Sequence, residues 1–253
     1  MNKPDSPLVA EFIASPNHDV RQGRDVDILL LHYTGMSSGI EAQQRLCDPD
    51  AKVSSHYLIH EDGAIVQFVS EARRAWHAGV ASWQGATDIN SRSIGIEIVN
   101  GGHDYGCPEF PVPQIDAVIG LCRDIQSRWP MPQHRVLAHS DVAPGRKQDP
   151  GEAFPWGVLY KAGIGLWIEP EPIASSPALS GGDKGDAVVR LQASLTEYGY
   201  DLGASGIFDE LTTDVVTAFQ RHFRPQQVDG VADVSTIATL RRLLEARYGL
   251  AQG

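Results

Sequence analysis

One stretch restricts the fold more than any other: Val26-Asp-Ile-Leu-Leu-Leu-His-Tyr33, running into Thr34-Gly35. A near-continuous apolar run of strand length, closed by a glycine, reads as a central strand buried on both faces. His32 stands at its C-terminal end, where open α/β sheets collect reactive groups.

The flanking segments supply the rest of such a sheet. Residues 55–60 and 64–69 read as short strands, with Glu61-Asp62-Gly63 as a hairpin turn between them. Residues 94–99 alternate, with Ile94, Ile96 and Ile98 on one face and Gly95, Glu97 and Val99 on the other. Helices are expected over 39–47 and over 113–129. In the second, Ile115, Val118, Ile119, Cys122, Ile125 and Trp129 form a stripe and Pro130 stops the helix. Arg135 to Ala138 reads as a strand delivering His139, and Pro155-Trp156 opens another short helix. Residues 1–25 are polar, carry Pro4, Pro7 and Pro16, and are expected to be irregular.

Composition shifts at residues 169–182, rich in Pro, Ser and Gly, which reads as an interdomain linker. Beyond it the pattern is helical. Gly206-Ile-Phe-Asp209-Glu-Leu-Thr212 recurs as Gly230-Val-Ala-Asp233-Val-Ser-Thr236, each aspartate placed to cap the next helix. The expected fold class is therefore α/β, a central mixed sheet flanked by helices over residues 1–168. A small all-α three-helix domain follows over 183–253.

A formal net charge of −11 argues against nucleic acid and against an anionic membrane surface as partner. No apolar run reaches transmembrane length, so no membrane insertion is expected. Cys47, Cys107 and Cys122 are odd in number and lack CxxC spacing, which fits a reducing compartment; Cys122 reads as a core thiol. The N-terminus shows no apolar signal region, so a cytoplasmic location is expected, with the periplasm as the alternative.

The chemistry concentrates between His139 and Asp149, His-Ser-Asp-Val-Ala-Pro-Gly-Arg-Lys-Gln-Asp. With His32 this segment offers two imidazoles and one carboxylate, the three-ligand set of a catalytic zinc that keeps a position for water. Pro144-Gly145 reads as the turn returning Asp149 toward His139. Glu97, among isoleucines, is either a desolvated proton-transfer group or half of an ion pair with an arginine. Lys147, two residues before Asp149, either faces the metal site or is an ordinary solvated lysine. Trp76 and Trp83 are loop aromatics suited to sugar stacking or to packing.

These residues resemble a known family. Leu31-His32-Tyr33-Thr34, Ser54-Ser55-His56-Tyr57, Trp76-His77-Ala78-Gly79, Ser93-Ile-Gly-Ile-Glu97 and the His139–Gly151 segment look like zinc-dependent N-acetylmuramoyl-L-alanine amidases of the AmpD/AmiD type. Those enzymes share a fold with T7-type lysozyme amidases and peptidoglycan recognition proteins. The resemblance implies cleavage of the amide between the lactyl group of muramic acid and L-Ala in peptidoglycan or muropeptides. It implies Zn²⁺ on His32, His139 and Asp149, with Glu97 as acid/base and Lys147 polarising the carbonyl. Trp76, His77, Trp83, Asn90 and Arg146 are the expected substrate contacts. Residues 183–253, with Arg190-Leu-Gln192 and Phe219-Gln220, resemble a peptidoglycan-binding domain. A non-catalytic recognition protein and a prophage-type lytic amidase are the alternatives. His18, His60, His103, His134 and His222 are expected at the surface or behind the ligands, and His56 has no assigned role.

Overall fold

In the computed structural model, which describes residues 3–23, 25–173 and 178–250, the apolar run forms the third strand from the N-terminus. The sheet domain runs β1 (Glu11–Phe12), β2 (His18–Val20), β3 (Ile28–Tyr33), α1 (Gly39–Cys47), β4 (Tyr57–Ile59), β5 (Ile65–Gln67) and β6 (Arg73–Ala75). It continues through α2 (Ile89–Arg92), β7 (Ser93–Ile98), α3 (Val112–Arg128), β8 (Val136–Ala138), α4 (His139–Val142) and α5 (Trp156–Lys161).

The main sheet has six strands in the order β1-β5-β4-β7-β3-β8, and β2 pairs separately with β6. β3 lies between two parallel neighbours, β7 and β8, while β4 and β5 form the expected antiparallel hairpin. The lead-in is not irregular as expected. Residues 11–12 add a parallel edge strand to β5, and residues 18–20 pair antiparallel with β6. Strands this short hold by backbone hydrogen bonds to a preformed edge and need no side-chain alternation of their own.

Period-two alternation gives the central strand two different duties. Leu29 and Leu31 join a core with Ile115, Val118, Cys122 and Ile125 of α3, so Cys122 is the expected core thiol. Ile28 and Leu30 point the other way, and so does His32. Their core contains Trp83, Leu137 and Val142 together with Leu195, Tyr198 and Phe219 of the C-terminal helices.

Those helices are α6 (Asp186–Tyr198), α7 (Glu210–Phe223) and α8 (Val234–Leu250). The repeat noted in the sequence builds both connections. Asp209 accepts from Thr212 N at 2.9 Å, and Asp233 accepts from Thr236 N at 2.7 Å. A buried glutamine of the preceding helix ties down each turn: Gln192 bonds Gly206 N and Ile207 O, and Gln220 bonds Gly230 N and Val231 O.

The segment read as a linker is held along much of its length; residues 174–177 lie outside the described residues. Arg242 donates to Glu169 O and to Glu171 Oε1, and Ser235 donates to Glu171 O. Leu179 bridges to Ala232. A proline-rich chain lacks some of its own donors but keeps its carbonyls, and here side chains of α8 donate to them.

Trp83 is the anchor between the two parts. It is fully buried, its indole edge-on to Tyr198 and Tyr200 at centroid distances of 5.7 and 5.1 Å. Gln84 N donates to Gly199 O, and any Cβ at residue 199 would collide with the Trp83 ring. The substrate contact expected of Trp83 is thus corrected: an indole closed off from solvent packs against the C-terminal helices instead. Trp83→Ala is expected to lower the unfolding free energy by about 3–5 kcal/mol in urea denaturation. A loss below about 1 kcal/mol would mean that the interface lies outside the cooperative unit.

Candidate metal centre and groove

β3 ends in His32, and β8 hands directly to α4, whose first residue is His139. The chain then turns at Pro144-Gly145, with Gly145 at φ 71°, and returns Asp149 to the same point. His32 Nδ1 lies 2.9 Å from His139 Nδ1 and 2.9 Å from Asp149 Oδ2, and His139 Nδ1 lies 3.0 Å from Asp149 Oδ2. All three residues are buried.

The surrounding hydrogen bonds fix which nitrogens carry protons. Ser93 Oγ donates to Ile89 O, so it accepts from His77 Nε2, which leaves His77 Nδ1 to accept from His32 Nε2 at 3.0 Å. His139 Nε2 donates to Ala78 O at 3.0 Å. Both imidazoles therefore present an Nδ1 lone pair to each other and to a carboxylate. Burial and the neighbouring His139 lower the His32 pKa to about 4, so its ring is neutral at physiological pH. Burial by itself would raise the Asp149 carboxyl, but His139 and His32 outweigh it and hold it well below the usual range.

Such a triangle suits a small divalent cation. Donors 2.0–2.1 Å from a tetrahedral zinc stand about 3.3 Å apart, so edges of 2.9 to 3.0 Å need only a slight opening. Outer partners on both imidazoles, His77 and Ala78 O, complete the arrangement expected around metal-bound histidines.

Glu97 stands beside the triangle because β7 runs parallel to β3 with His32 and Glu97 as register partners. Its Oε2 is buried without a hydrogen-bond partner, and among the described residues no arginine pairs with it. Burial and the Asp149 charge raise its pKa well above the ordinary carboxyl value, with Lys147 opposing. Glu97, Lys147, Trp76, His77 and Arg146 line one groove of about 450 Å³ together with the three triangle residues. That volume lies within the range of small-ligand sites.

A family profile described as N-acetylmuramoyl-L-alanine amidase matches residues 22–152, and one described as a peptidoglycan binding domain matches residues 184–240. The chain belongs to the N-acetylmuramoyl-L-alanine amidase family. It is 37% identical to N-acetylmuramoyl-L-alanine amidase AmiD of Escherichia coli K12 over 239 residues, covering 88% of this chain and 84% of that one. The solved complex of E. coli AmiD with anhydro-N-acetylmuramic acid-L-Ala-D-gamma-Glu-L-Lys matches with a TM-score of 0.76 at 36% identity, covering 89% of this chain and 91% of that one. AmpDh3 from Pseudomonas aeruginosa, solved with an anhydromuramic pentapeptide, matches with a TM-score of 0.71 at 35% identity, covering 89% of this chain and 93% of that one.

The other expected contacts of this amidase divide by burial. Trp76 is half-buried on the groove wall, its Nε1 donating to Asp19 Oδ2 at 2.7 Å. Arg146 lines the groove too, but its guanidinium braces the opposite loop through Ala78 O and Val80 O. His77 has both ring nitrogens engaged, and its ring lies over Gly95, where any Cβ would come within 2.6 Å of it. Asn90 is buried and spends its Oδ1 on His77 N and Ala78 N. His77 and Asn90 therefore serve the His32 imidazole and the 77–78 loop, and His77 also lines the groove. His56 is structural as well: its Nδ1 accepts from Gly95 N and its Nε2 donates to Arg73 O.

No local pattern in the sequence marks the group that braces the backbone just before His139. Asp141, on α4, accepts from Ala138 N at 2.8 Å, Tyr200 OH at 2.7 Å and His222 Nδ1 at 2.7 Å. His222, expected at the surface or behind the ligands, is buried between the rings of Trp156 and Phe223. Two of the three donors thus come from the C-terminal module. Asp141→Ala leaves them without an acceptor and is expected to weaken metal binding at least about tenfold in a chelator competition assay. Tyr200→Phe should give a smaller loss of the same sign; unchanged affinity in both variants would dissociate the clamp from the metal centre.

Proposed function

We propose that His32, His139 and Asp149 hold zinc, and that the chain hydrolyses the amide joining the lactyl group of N-acetylmuramic acid, or its 1,6-anhydro form, to L-Ala of the stem peptide. Two nitrogen donors and one carboxylate leave one position for water or substrate, the donor set of a hydrolytic zinc site. When bound, zinc polarises a carbonyl and makes water a stronger nucleophile at neutral pH.

The observation that carries the reading is the unpartnered, buried Glu97 Oε2 beside the triangle. A carboxyl whose pKa is raised by burial matches the task of taking a proton from the attacking water and handing it to the departing amine. Lys147 lines the same groove, where its ammonium offsets negative charge gathering on the carbonyl oxygen. The groove binds the muramyl-peptide, and the C-terminal helices add affinity for the wall polymer or its fragments. The anhydro-muramyl peptides bound by AmiD and AmpDh3 support this choice of substrate.

Glu97→Gln keeps the shape but not the proton transfer. It is expected to reduce kcat on anhydro-muropeptide by about 10²–10⁴ while zinc content stays at the wild-type level. Lys147→Ala should cost about 10²–10³ in kcat. Both are measured by mass spectrometry of released stem peptide; full activity in Glu97→Gln would refute the assignment. Rates on intact sacculi against soluble anhydro-muropeptide distinguish polymer from recycled fragments as the preferred substrate.

A further inference from the structure

A second set of metal-type side chains meets at the rim of the groove. One ligand atom from each of His103, Cys107 and Glu152 lies within 4.8 Å of the other two, and all three residues are half-buried. His103 Nε2 lies 3.0 Å from Glu152 Oε2. The loop that carries the first two is a tight return: Gly106 N donates to His103 O and Cys107 N to Gly102 O. Cys107 sits at φ 50°, a left-handed conformation that a side-chain-bearing residue adopts at some cost. Glycines clear the ground around it. A Cβ at Gly151 would lie 3.3 Å from the His103 ring, and one at Gly102 would collide with the Tyr33 ring.

We propose that His103, Cys107 and Glu152 form a second cation site, for zinc or a metal of similar softness, distinct from the His32–His139–Asp149 centre. A thiolate and an imidazole select zinc-class ions over magnesium or calcium, and one carboxylate completes a three-ligand set open to water. Tyr33 supplies the outer partner that such a site needs. With Nε2 on the metal, His103 Nδ1–H donates to Tyr33 OH, already 2.9 Å away. Burial and the Glu152 charge raise the Cys107 thiol, so the free protein carries it protonated and binding releases that proton to solvent. The opposing charge is Arg221, whose Nε lies 3.8 Å from Glu152 Oε2; a metal here must draw the carboxylate away from it. His103 also lines the groove, so an ion at this rim stands beside the substrate's path.

His103, Cys107 and Glu152 share no ligand with the amidase centre, and the thiolate gives a signal of its own. The metal-free full chain is titrated with cobalt(II) to saturation. The buried triangle has no sulfur ligand, so a sulfur-to-cobalt charge-transfer band in the near ultraviolet reports a cysteine. Wild type is expected to show the band; Cys107→Ser should abolish it and lower bound cobalt by one equivalent per chain, with unchanged circular dichroism. His103→Ala should weaken it, keeping the claim testable if one variant folds poorly. Absence of the band in wild type at saturation, or a band of equal strength in Cys107→Ser, would overturn the site.

Discussion

Two imidazole lone pairs and a carboxylate oxygen converge, buried, within 3.0 Å of one another. Like-signed groups this close are unfavourable away from water unless a cation lies among them. Much of the local structure is arranged to hold them there. Parallel pairing of β3 with β7 brings Glu97 beside His32. Hydrogen bonds to His77 and to Ala78 O keep both imidazoles in the tautomer that offers Nδ1. Gly95 leaves room for the His77 ring that does half of this work.

The C-terminal helices belong to the same construction. Ile28 and Leu30 share the face of β3 that leads to His32, and the core they enter is completed by residues of α6 and α7. Asp141 then links the two levels. It binds the backbone just before His139 on one side and Tyr200 and His222 on the other. A module that looks in sequence like a tethered wall-binder is also a wall of the enzyme. Its helices can contribute to polymer binding and still set the geometry of a ligand from behind.

The sequence carried the pattern of burial better than the identity of the neighbour. The central strand stood out by its unbroken apolar run, the β4–β5 hairpin by its Asp-Gly turn and α3 by its helical stripe. His32, His139 and Asp149 came together where expected because strand ends and a glycine turn constrain so few arrangements. Trp83 was misread, and the structural duties of His77 and Asn90 were not visible, for a shared reason. A loop aromatic, imidazole or amide looks the same in sequence whether it faces a groove or a second layer of protein. Asp141 and His222 were missed because their partners lie 81 residues apart in the chain, beyond any local pattern. The linker composition misled as well, since proline and serine content reports the lack of regular structure and not the presence of contacts.

The most direct measurement is a zinc titration of the metal-free protein, with cleavage of anhydro-muropeptide followed by mass spectrometry. Activity is expected to be absent without metal and to rise with added zinc until the His32–His139–Asp149 centre is filled, with every cut at the amide between the lactyl group and L-Ala. Cleavage indifferent to chelation, or at another bond, would contradict the account.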